Sequence, residues 1–108
     1  MIDFNKYDET VMQNFYGGEG NVIIRKFEDE NNKIMKIRIP KGSSIGLHCH
    51  ETTSEIMFIL SGEGKVILEG EEEILSGGSC HYCKKGQTHT LINIGEEDLV
   101  FHAVVCQQ

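Results

Sequence analysis

Long apolar runs are missing from this chain. The longest, at residues 56–60, falls far short of the ~20 residues that a membrane-spanning helix needs. An excess of basic charge is missing too: ten Lys and Arg stand against seventeen Asp and Glu, for a formal net charge of −7. No Lys/Arg stripe concentrates the few cations, so neither a nucleic-acid backbone nor an anionic membrane is expected as a partner. Asp3, Asp8 and Glu9 interrupt the segment where the apolar core of a secretion signal would sit, and a cytoplasmic location is expected. Only four cysteines occur, Cys49, Cys80, Cys83 and Cys106. Without export they read as free thiols or metal ligands rather than bridges.

What is present describes one ordinary globular domain. The 108 residues are 39% hydrophobic and 25% charged, which is neither disordered nor fibrous. Apolar spacing favours strands nearly throughout. Val22, Ile23, Ile24 and Phe27 precede a polar turn at 28–32, and Ile34, Ile37 and Ile39 follow it, closed by Pro40 and Gly42. A further strand is expected over 55–60. Residues 65–68 and 73–75 read as a hairpin around 69–72, and 90–94 and 99–106 as a second hairpin around 95–98. Seven or eight short strands with a turn every eight to twelve residues predict an all-β fold, a sandwich or a closed or nearly closed barrel. Residues 1–20 read as an N-terminal arm, with a helical turn around 9–14, and 21–106 as the barrel. The acidic clusters at 69–73 and 96–98 read as solvated loop tips.

The chemically informative stretch is 42–55. In an extended strand alternate side chains share a face, so His48 and His50 point the same way and Cys49 points the other. Two imidazoles at that spacing can converge on one ion. Glu55 follows after four polar residues, where a turn could bring its carboxylate back beside them, and His89 lies on a later strand or its entry. Three imidazoles and a carboxylate form a mixed N/O donor set suited to one divalent transition metal, Fe, Mn, Ni, Zn or Cu. A His-x-His pair alone is common and is more often structural; Glu55 and His89 shift the balance.

Gly42, His48, His50, Glu55 and Gly62 stand at the fixed positions of one motif, and Gly78, Gly86, His89 and Asn93 at those of a second. Together they make the chain resemble the cupin superfamily, the small single-domain metal-binding kind. A proline usual in the second motif is replaced by Lys84, which bears on loop geometry and removes no ligand. The resemblance implies a jelly-roll β-barrel (a double-stranded β-helix) with one divalent metal held inside by His48, His50, Glu55 and His89. It also implies a homodimer, as small cupins often form through edge strands. Cupins like this one include dioxygenases, isomerases, decarboxylases and lyases acting on small oxygen-rich metabolites. The alternative is a non-catalytic metal-bearing module that binds or senses a small ligand.

Other polar residues carry competing readings. Cys80 and Cys83 make half of a zinc site, but the other half is missing, and small buried thiols are the simpler account. His81 shares parity with Cys83, so on a regular strand it would project into the metal cavity as a hydrogen-bond donor or general acid/base. Glu55 would stay a ligand, or dissociate and serve as a base. His102 is expected on the outer face of the last strand. Phe15, Tyr16 and Tyr82 are pocket or interface aromatics, which sequence does not separate from core packing.

Overall fold

In the computed structural model, which describes residues 1–108, ten strands form two antiparallel sheets. The first contains β1 (Thr10–Gln13), β2 (Asn21–Glu28), β3 (Asn32–Ile39), β5 (Thr53–Ser61), β8 (Cys80–Cys83) and β10 (Leu99–Gln107), in the order β1-β2-β3-β10-β5-β8. The second contains β4 (Ser44–Cys49), β6 (Glu63–Leu68), β7 (Glu71–Ser76) and β9 (Thr88–Asn93), in the order β4-β9-β6-β7. Alternation builds the interior. Met35, Ile37 and Ile39 of β3 and Leu99, Phe101 and Ala103 of β10 are buried, and they meet Ile45, Val66 and Leu91 from the opposite sheet in one apolar cluster. This is the expected all-β jelly-roll barrel. Helical structure is limited to single 3-10 turns at Phe4–Lys6 and Phe15–Gly17, and no helix is long and apolar enough to cross a membrane.

Two hairpins form, and the one expected at 65–75 is among them. β2 pairs with β3 across a turn in which the Asp29 carboxylate accepts from the backbone N–H groups of Asn31 and Asn32. β6 pairs with β7 through Glu69 and Gly70, both at positive φ, the two-residue turn whose twist suits adjoining strands.

Three expectations need correction. Residues 90–94 and 99–106 do not form a hairpin: β9 pairs with β4 and β6, and β10 with β3 and β5 in the other sheet. A hairpin turn and a corner between sheets carry the same local signal, alternating strands around a Gly/Asp/Glu loop. Asn93 decides for the corner. Its amide donates to the carbonyls of Ile39 (2.7 Å) and Glu97 (2.9 Å), and its oxygen accepts from Gly95 N–H (2.8 Å). The helical turn expected at 9–14 is replaced by β1, which pairs with β2. β1 is an exposed edge strand without an alternating burial pattern, so nothing local marked it as β. With β1 and β4 the strands number ten rather than seven or eight.

β4 carries the irregularity that matters most. Ile45 and His48 are an odd number of residues apart, yet both reach the interior, while Leu47 is 64% exposed. The register against β9 shifts between them, a bulge at Gly46 that reverses the parity of the strand. A Cβ at Gly46 would stand 2.0 Å from the Tyr16 carbonyl oxygen, because the 3-10 turn at Phe15–Gly17 is laid backbone to backbone against the bulge. The Lys84 turn also closes without proline: Gln87 N–H donates to the Lys84 carbonyl (3.0 Å), and the Gln87 side-chain oxygen accepts from Lys84 N–H (2.8 Å).

Gly46→Ala is expected to push the Phe15–Gly17 turn off β4 and destabilise the protein by about 2 kcal/mol. A thermal midpoint equal to that of the unaltered protein would show that this close approach is dispensable.

Candidate metal centre

The bulge delivers His48 inward, and antiparallel pairing sets it directly opposite His89 of β9. His50 follows just past the end of β4, where its N–H donates to Gln87 O (3.1 Å) and its carbonyl accepts from Gly86 N–H. Glu55 arrives from the other sheet. It lies on the inner face of β5, between Val105 of β10 and Cys83 of β8. The centre therefore bridges the two sheets at one end of the barrel.

The donor atoms converge. His89 Nε2 lies 3.0 Å from His50 Nε2 and 3.2 Å from His48 Nε2, and Glu55 Oε1 lies 3.2 Å from the Nε2 atoms of both His50 and His89. All four ligand atoms fall within 4.8 Å of one another, the one such convergence of His, Cys, Asp or Glu in the molecule. Adjacent donors about 2.1 Å from an octahedral ion stand about 3 Å apart, so these separations fit a single transition-metal ion. The side chains of His50 and Glu55 are 10% exposed and that of His89 only 2%, so water cannot screen the donors from one another.

Each imidazole is held from behind. His48 Nδ1 lies 2.8 Å from the Gly46 carbonyl, which can only accept, so the proton sits on Nδ1 and the Nε2 lone pair faces the centre. His50 Nδ1 lies 2.9 Å from Thr53 Oγ1, and His89 Nδ1 lies 2.9 Å from His81 Nε2. Both partners can accept or donate. When His50 or His89 carries its proton on Nε2, that proton meets Glu55; when Nε2 binds an ion, the proton moves to Nδ1 and is received by Thr53 or His81. Tyr16 covers His48 from outside, stacked at 4.1 Å between ring centres and 11° between planes. Its backbone at φ 53 is left-handed, uncommon for a bulky residue, and the packing of the turn on β4 maintains it.

Burial lowers the pKa of His48, only partly opposed by the Gly46 carbonyl. Burial would raise Glu55, but hydrogen bonds from His50 and His89 outweigh it and hold the carboxyl at about 2. His81 is lowered to about 4, by burial first and the neighbouring His89 second, and so stays neutral. Cys83 is pushed up to about 12, by burial and then by Glu55, and remains a thiol.

The sequence-marked residues sort accordingly. His48, His50, Glu55 and His89 come together. His81 is buried opposite Met57 of β5, with its Nε2 2.9 Å from His89 Nδ1. Cys80 is exposed and Cys83 buried, so the pair does not converge. His102 lies on the outer face, stacked on Phe4 at 5.5 Å. Two supports escaped the sequence reading: Thr53 looked like one more polar loop residue, and Tyr16 was not separable from core packing. A cavity of about 650 Å³ opens from the centre to the barrel mouth.

A family model described as the cupin domain matches residues 35–105. An oxalate-binding protein from Thermotoga maritima is 35% identical over 100 residues, spanning 87% of this chain and 83% of its own. The pectin degradation protein KdgF of Dickeya dadantii is 27% identical over 79 residues, 71% of this chain and 72% of its own. Among solved structures, a predicted oxalate decarboxylase from Thermotoga maritima superposes with a TM-score of 0.94 at 28% identity, over 100% of this chain and 99% of that one. KdgF from Halomonas sp. shares the fold, with a TM-score of 0.78 at 17% identity over 96% and 90% of the two chains.

The pKa directions set the sign of the pH response. Folded His48 and His81 titrate below the ordinary histidine range, so as pH falls from about 6.5 toward 4 the unfolded chain takes up protons first and stability is lost. Glu55 extends the loss from about 4.5 toward 2. The thermal midpoint should fall between pH 7.5 and 4.5. His81→Leu should remove a share of the loss on the order of 2 kcal/mol. A midpoint flat across that range would contradict the assignment of these imidazoles as buried and neutral.

Proposed function

The chain belongs to the cupin family, and on that footing we propose that it is a divalent-metal-dependent enzyme acting on a small oxygen-rich metabolite. The observation that carries the reading is the convergence of three Nε2 atoms and one carboxylate oxygen at the inner end of a ligand-sized cavity. In this proposal His48, His50, Glu55 and His89 hold one transition metal per chain. Once bound, the ion supplies a Lewis acid at which a pair of substrate oxygens can chelate. The remaining roles belong to the protein. The Gly46 carbonyl holds His48 in the ligating tautomer, Thr53 and His81 can receive the Nδ1 protons of His50 and His89, and Tyr16 fixes the His48 ring. Glu55 is the buried carboxylate that could take a proton from substrate. His81 acts through His89, as a positioning residue. The relatives named for oxalate and for pectin degradation support a small carboxylate or sugar acid as the ligand class.

One observation favours the second reading, a module that binds or senses its ligand without turning it over. The deep cavity wall carries no proton-transfer group beyond the four donors themselves. Turnover by the metal-loaded protein separates the two readings. For both readings we propose a cytoplasmic location.

We also propose a homodimer built on the outer face of the larger sheet. There Phe58, Leu60 and Tyr82 leave an apolar patch exposed beside the edge strand β8. Light scattering should give twice the 12.2 kDa chain mass, and Phe58→Asp should shift it toward monomer. A monomer mass for the unaltered protein at micromolar concentration overturns this.

For the centre, His48→Ala or His89→Ala should abolish stoichiometric metal. Thr53→Val or His81→Leu should weaken binding by roughly 10–100-fold. Elemental analysis finding the same metal content in the alanine variants would refute the donor assignment.

A further inference from the structure

The cavity wall is divided by chemistry. Beyond the four donors, the deep lining is hydrocarbon and thioether: Met35, Ile37, Ile45, Met57 and Leu91 line it, and each is at most 7% exposed. The other polar lining residues are exposed apart from Asn32 and Thr53, and Thr53 is engaged by His50. The cations that line the cavity, Lys26 and Lys33, have their ammonium groups 3.2 and 3.9 Å from the Glu28 carboxylate. Neither arginine of the chain lines the cavity. Arg25 donates to the carbonyls of Phe4 and Tyr7, and Arg38 is engaged by Glu9 and Asp98.

We infer that the site selects a monoanionic chelator bearing an apolar arm, such as a 2-oxo or 2-hydroxy monocarboxylate with a branched aliphatic or aryl side chain, over a small dianion. This rests on the metal-centre reading above. A divalent ion, the Glu55 carboxylate and three neutral imidazoles leave a net charge of +1. One negative charge on the ligand neutralises it. A dianion such as oxalate leaves −1 beside a buried hydrocarbon and thioether lining, where the cations that line the cavity, Lys26 and Lys33, already face Glu28, and uncompensated buried charge is strongly disfavoured. A cavity of about 650 Å³ also far exceeds what a two-carbon ligand fills, whereas an apolar arm would cover the methionine and isoleucine wall.

The test titrates protein loaded with one equivalent of Co(II), its stoichiometry established by elemental analysis, with oxalate, pyruvate and 4-methyl-2-oxopentanoate. Calorimetry and the cobalt absorption band give the affinities. The branched acid should bind at least ~10-fold tighter than oxalate, with affinity rising roughly fourfold per buried methylene from pyruvate upward. Met35→Lys should reverse the order by placing a cation in the wall. Should that variant not fold, Met35→Ala should weaken the branched acid while leaving oxalate unchanged. Oxalate binding as tightly as the branched acid on fully loaded protein overturns the inference and leaves the metal centre standing. Failure to load cobalt at all removes both.

Discussion

Three imidazole nitrogens and a carboxylate oxygen converge within 4.8 Å at a largely buried point, and their lone pairs can all face it together only around a cation; without one, Nε2 protons of His50 and His89 must turn to Glu55. Everything else in the site follows from meeting that constraint. The donors come from two sheets: His48 and His89 from paired strands, His50 from the end of β4, and Glu55 from β5 across the barrel. Closing the barrel brings them together. An ion bound there would in turn clamp the sheets to each other, coupling metal affinity to folding.

Holding the donors takes as much structure as supplying them. The Gly46 carbonyl removes the tautomeric choice from His48, while Thr53 and His81 leave a choice to His50 and His89 that an ion can settle. The bulge at Gly46 turns His48 rather than Leu47 inward, admits the Phe15–Gly17 turn, and through it seats Tyr16 on the His48 ring. A single residue without a side chain thus sets strand parity, the orientation of His48 and the cover over its ring.

Much of this was legible beforehand because it is encoded by spacing. Alternation marked the core strands, His48 and His50 shared a face, and the glycines around Glu55 and His89 placed them in a known pattern. Less was readable where the deciding contact is distant in sequence. Whether the loop at 95–98 folds back or crosses between sheets depends on Asn93 reaching Ile39. β1 has no alternation, being an exposed edge. His81 keeps the inward parity its strand implies, opposite Met57 of β5, and the contact that defines it, with His89 Nδ1, comes from the other sheet. Thr53 and Tyr16 gain their roles from atoms in other elements, and no local signal announces such contacts.

The central claim is that these four side chains share one ion. Anomalous diffraction from metal-loaded crystals, collected at the absorption edge of the added metal, tests it most directly. The account predicts one peak per chain, about 2.0–2.3 Å from the Nε2 atoms of His48, His50 and His89 and from a Glu55 carboxylate oxygen. A peak elsewhere in the molecule, or one touching fewer than three of these side chains, would contradict it.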